Sequence, residues 1–123
     1  MLQHWICGFF GCDSKILNDP SGLANIVTCA SGEGAMCTMD HQVTHKFSPE
    51  GVTVIATESR SHIVIHTWPD EGYAAIDIAL SAPYASPQDV FDFLATRLDP
   101  TSTTTLKLDR SGKDGPDGPA PRS

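Results

Sequence analysis

A chain of 123 residues fits one domain, small enough that its core is modest and a second subunit would help to stabilise it. Its 40% hydrophobic content is that of a soluble globular protein, and a formal net charge of -7 argues against binding a phosphate backbone, which wants clustered Lys and Arg. Cys7, Cys12, Cys29 and Cys37 show no CxxC pairing, and there is neither a basic-then-apolar leader nor an apolar run of about 18 residues, so reduced thiols, a cytoplasmic location, no metal and no membrane segment are expected.

Residues 2–10 are apolar and aromatic enough for a buried strand, and Gly11-Cys12-Asp13-Ser14 supplies a turn and a helix cap. A helix is expected from Lys15 or Pro20 to Ala30, because Leu23, Ile26, Val27 and Ala30 recur at helical spacing, and Ser31-Gly32-Glu33-Gly34 ends it. A second strand is read over 36–43, a connection over 47–51 and a third, β-branched strand over 52–57. Ser59-Arg60 breaks the pattern before Ser61 opens a fourth strand, a turn follows at Trp68-Pro69-Asp70-Glu71-Gly72, and a fifth strand covers 73–80. Ser86-Pro87 starts a helix whose apolar face is Val90, Phe91, Leu94 and Leu98, Asp99-Pro100 closes it, and 103–108 adds an edge strand. The domain should therefore span 1–109, with 110–123, rich in Gly, Pro, Asp and Ser, as a disordered tail. This order predicts an α+β fold, a two-layer α/β sandwich in which an antiparallel sheet carries both helices on one face. Two helices cannot cover both faces of six strands, so a partner subunit is physically reasonable.

The stretch Ser61-His62-Ile63-Val64-Ile65-His66-Thr67-Trp68-Pro69-Asp70 holds more chemistry than a structural strand needs. Alternation puts His62, Val64 and His66 on one face and Ser61, Ile63 and Ile65 on the other. Together with Gly72-Tyr73-Ala74-Ala75-Ile76-Asp77, it resembles the core of the prokaryotic S-adenosylmethionine decarboxylase proenzyme family, whose members are pyruvoyl enzymes. Gly11-Cys12-Asp13, Leu17-Asn18-Asp19-Pro20 and His45-Lys46-Phe47-Ser48-Pro49-Glu50-Gly51-Val52 fall in that family's order, so the resemblance covers roughly residues 1–100.

The resemblance implies the same sandwich paired into a homodimer, and a cofactor made from the chain itself. The Ser61 hydroxyl would attack the Arg60 carbonyl, and elimination would leave chains 1–60 and 61–123 with a covalent pyruvoyl group at position 61. A substrate amine would form a Schiff base with that ketone and lose carbon dioxide, giving the aminopropyl donor for spermidine-type synthesis. A protein needs such a sink because its ordinary side chains delocalise a carbanion poorly. By the same resemblance, His66 and Thr53 assist processing, Phe47 stacks on the adenine and Asp70 binds the ribose hydroxyls.

Five positions depart from the family pattern, the mildest being Thr53, which keeps the hydroxyl of the family's serine and adds a methyl. Ser81 stands where the family has the cysteine that returns a proton to the decarboxylated carbon, and an aliphatic hydroxyl, nearer the ~15.7 of water, is a much weaker acid than a thiol near 8.5. Asp70 replaces a glutamate, Gly8 an acidic residue, and Arg60 the glutamate before the cleaved serine; the last should be tolerated because the acyl shift uses the backbone. Two alternatives stay open: a pyruvoyl decarboxylase of ornithine or arginine, and an unprocessed, non-catalytic homologue. A metal site at Cys12, Cys37, His41 and His45 lacks zinc-like spacing.

Overall fold

The computed structural model describes residues 2–33, 41–58, 60–81 and 86–110. Six strands, β1 (Leu2–Phe10), β2 (His41–Lys46), β3 (Val52–Glu58), β4 (Ser61–Trp68), β5 (Tyr73–Ser81) and β6 (Ser102–Asp109), pair antiparallel in the order β2-β3-β4-β5-β1-β6. The period-two pattern sends Phe9, Val54, Ile63, Ile65, Ile76 and Ile78 to one face, where they are fully buried against Leu23 and Val27 of α2 (Pro20–Glu33) and Val90 and Leu94 of α3 (Pro87–Leu98). The expected two-layer sandwich with its helices on one face is thus what forms.

Local chemistry explains the helix boundaries. The single expected helix is two: a four-residue α1 (Ser14–Leu17), capped by the Asp13 carboxylate accepting the Lys15 N–H at 2.8 Å, and α2, entered through Asp19 and Pro20. Asp19 Oδ1 accepts the Gly22 N–H at 3.1 Å, so the motif Leu17-Asn18-Asp19-Pro20 is the joint between two helices. α2 runs on to Glu33, past the expected stop at Ala30. Ser86 caps α3 by accepting the Asp89 N–H, and Pro87 is its first residue, as the sequence indicates.

The second strand differs from the reading over 36–43. It lies at His41–Lys46, and 34–40 fall outside the described residues. β2 is an edge strand exposed at every position, so no buried alternation marks it in the sequence. Arg110 continues the pairing by donating its N–H to Leu2 O at 2.7 Å, and the expected tail beyond it, 111–123, is outside the described residues.

The far end of β4 and the start of β3 are each tied to the helical layer. Thr67, 1% exposed, donates its hydroxyl to Leu17 O at 2.7 Å and accepts the Val52 N–H at 2.9 Å, while Asn18 Oδ1 accepts the Gly51 N–H at 3.0 Å. Gly72 closes the turn after β4 in the left-handed region, at φ +63, where a β-carbon would also meet Cys12 O at 3.2 Å. Replacing Thr67 by Val keeps the shape but strips a buried N–H and a buried carbonyl of their partner. Thr67→Val should lower the unfolding free energy by about 2 kcal/mol in urea titrations, and Thr67→Ser by less.

Candidate active site

β4 occupies the middle of the sheet, and the residues singled out in the sequence gather at its two ends. At the first end, residues 59 and 60 connect β3 to β4, and Glu58 and Ser61 are the cross-strand pair that closes the connection. Ser61 is 6% exposed and faces the helical layer, in line with Ile63 and Ile65. Its Oγ accepts the Ser81 N–H at 3.2 Å, so the hydroxyl keeps its own proton to give. Arg60 is exposed and donates its N–H to Glu58 Oε1 at 3.2 Å.

The other end carries Thr53, His66, Phe47 and Asp70. Thr53 and His66 are cross-strand partners, with Oγ1 and Nδ1 2.6 Å apart, so the threonine does what a serine hydroxyl would do: it fixes the imidazole through Nδ1. The His66 ring lies between those of Phe47, at 5.5 Å, and Trp68, at 4.3 Å, and the row continues through Tyr73 to Phe10. Asp70 is exposed in the 3-10 turn Pro69–Glu71 that follows. Ser61 and His66 are five positions apart on one strand, roughly 16 Å at ~3.3 Å per residue, and on opposite faces. One chain therefore does not bring His66 to Ser61.

On the open face beside the first end lies a polar cluster that sequence reasoning missed. His62 and His4 flank Ala79 in one cross-strand row, their rings edge to face at 5.9 Å. Arg110 Nη1 donates to His4 Nδ1 at 3.1 Å, which leaves the proton on Nε2, a buried atom 4.0 Å from Asp77 Oδ2 with no hydrogen-bond partner. Burial lowers the His4 pKa, and the Asp77 carboxylate only partly offsets this. β1 and β5 bring His4 and Asp77 together across more than seventy residues of chain, a register that no local pattern announces.

Among the described residues, no cysteine lies on this face. Cys7 points to the helical layer, and burial pushes it up to about 11; burial also raises Cys12. Cys37, one of the four residues of the candidate metal set, lies outside the described residues.

The family model described as S-adenosylmethionine decarboxylase matches residues 3–111. An S-adenosylmethionine decarboxylase proenzyme of Methanococcus maripaludis strain S2 is 37% identical over 111 residues, covering 88% of each chain. One of Caldanaerobacter subterraneus subsp. tengcongensis is 35% identical over 109 residues, covering 88% of this chain and 86% of the relative. Among solved structures, the adenosylmethionine decarboxylase of Aquifex aeolicus superposes with a TM-score of 0.78 at 23% identity, over 89% of this chain and 90% of that one. A Trypanosoma brucei AdoMetDC monomer superposes with a TM-score of 0.61 at 14% identity, over 94% of this chain but 51% of the other. These two likenesses concern the fold.

The buried imidazole also gives the molecule a pH signature. With its folded pKa below the unfolded value, His4 binds its proton more readily in the unfolded chain, so stability is lost as pH falls through about 6.5 toward the folded value. Denaturant midpoints measured from pH 7.5 down to pH 5 should fall less in His4→Gln than in the parent.

Proposed function

The chain belongs to the S-adenosylmethionine decarboxylase family, and we propose that it cuts its own backbone between Arg60 and Ser61, converts Ser61 to a pyruvoyl group, and removes carbon dioxide from S-adenosylmethionine. The product is then the decarboxylated aminopropyl donor for spermidine-type polyamines. The observation that carries the reading is the position of Ser61: the first residue of a central strand, buried, directly after the connection where the chain is to break. The residues present fit the group, because a buried position 61 keeps water away and the Ser81 N–H is already aimed at the oxygen of that residue. A ketone there supplies the electron sink that no ordinary side chain offers. Phe47, 39% exposed beside His66, offers its ring to the adenine, and Asp70 its carboxylate to the ribose hydroxyls.

The separation of the two ends is resolved by a homodimer. Across the open face, register lines up Val43, Ile55, Val64, Asp77, Ile6 and Leu106 in one row, with Val43 62% and Leu106 56% exposed. An exposed row of this kind, apolar at every position but Asp77, wants covering. A second copy packed face to face, about a two-fold axis lying across the strands, covers it and sets the His66 end of one β4 over the Ser61 end of the other. Thr53 and His66 then approach the backbone of the partner's Ser61 from the open face, where the elimination step removes its α-proton, while the side chain stays on the helical face. The same dimer brings Phe47 and Asp70 to the partner's position 61, so binding and chemistry meet. No helix among the described residues is long and apolar enough to cross a membrane, and a cytoplasmic location fits the reduced thiols.

The purified chain should show two masses, those of 1–60 and 61–123, with the second carrying a hydrazine-reactive ketone, and Ser61→Ala should show one. Carbon dioxide should be released from S-adenosylmethionine, and robust release from ornithine or arginine alone would move the substrate to the alternatives raised by Ser81, Asp70 and Gly8. Co-expression of Ser61→Ala with His66→Ala tests the shared site. Cleavage of the His66→Ala chain should return when the Ser61→Ala chain lends its histidine, and no return would place both residues in one protomer.

A further inference from the structure

Self-cleavage begins with a proton that has to leave the Ser61 hydroxyl, and His66, at the far end of the strand and on its other face, is not beside it in the same chain. His62, next in sequence, also points to the other face, as do His4 and Asp77. Glu58 does not. It is the cross-strand partner of Ser61, and it shares the face of Val52, Val54 and Ala56, which is the face of Ser61, Ile63 and Ile65. Directly opposed residues on one face of an antiparallel pair hold their β-carbons about 4.5–5.5 Å apart, within reach of a carboxylate and a hydroxyl. Glu58 Oε1 already accepts the N–H of Arg60, the residue whose carbonyl is attacked. The Ser61 oxygen in turn accepts the Ser81 N–H, which leaves its own proton free to be donated.

We infer that Glu58 is the general base of the first step of self-processing, acting within its own chain; this rests on the cleavage at Arg60–Ser61 proposed above. The Ser61 O–H bond breaks as Oγ bonds to the Arg60 carbonyl carbon, and Glu58 takes the proton. The bond from that carbon to the Ser61 nitrogen then breaks, and the nitrogen leaves as an amine with the proton returned by Glu58. A peptide has become an ester, the carboxylate is restored, and no other reactant is consumed. The partner's His66 belongs to the later elimination, so two different bases serve two different steps.

The test uses the full chain made by cell-free synthesis, with cleavage followed by intact mass. Glu58→Gln keeps an oxygen to accept the Arg60 N–H but is no base, and it should cleave about 100-fold more slowly than the parent. Its melting temperature, compared in a Ser61→Ala background, should be unchanged. Because the block precedes the ester, the uncleaved Glu58→Gln chain should resist hydroxylamine, which splits esters, and formate should speed cleavage of Glu58→Ala by standing in for the lost carboxylate. Parent-like cleavage of Glu58→Gln, a hydroxylamine-sensitive Glu58→Gln chain, or a Glu58→Ala chain indifferent to formate would each overturn the assignment. An uncleaved parent would instead remove self-processing itself and this step with it, whereas a cleaving parent beside an equally fast Glu58→Gln removes the role of Glu58 alone.

Discussion

A strand side chain can point to only one of two faces, and along β4 that choice separates two kinds of chemistry. The hydroxyls of Ser61 and Thr67 go under the helices with Ile63 and Ile65, while the imidazoles of His62 and His66 go to the open face. A buried hydroxyl is tolerated only when it is hydrogen-bonded. Thr67 meets that demand by tying the strand to α1 and to β3, which anchors one end of β4. Ser61 meets it with an N–H from Ser81, a lighter hold than that on Thr67.

The open face imposes the second constraint. Its central row is apolar except for Asp77, and covering it against a second copy would contribute roughly 25 cal/mol for each Å² of apolar area removed from water. A small domain with helices on one side only has little other means of hiding that surface. In the proposed assembly, association and completion of the site are therefore a single requirement. In that assembly the fixed hydrogen bond of Thr53 to His66 and the packing of Phe47 and Trp68 about that ring would belong to a site whose serine comes from the partner.

Some elements were legible because the physics that makes them is local. Ser86-Pro87 announced α3, Asp13 announced a cap, and the β-branched run after Gly51 announced β3, each through its own backbone preferences. β2 was misplaced because an exposed edge strand carries no buried alternation, and the break at Asn18-Asp19 was missed because Asn18 is committed to Gly51, 33 residues away. The collinear motifs pointed to Ser61, His66, Thr53, Phe47 and Asp70 without telling which of them meet. Glu58 could have been found by counting across a two-residue connection to Ser61, since hairpin pairing follows from loop length, but the cluster of His4, Asp77 and Arg110 could not.

By itself, then, the amino-acid order determined the sandwich and the family and singled out Ser61, because periodicity, caps and motif spacing are written along the chain. Only the tertiary structure decided which groups share a neighbourhood. Register between separate strands is settled by their pairing, which no local pattern announces, and that pairing brought His4 to Asp77 and Thr53 to His66.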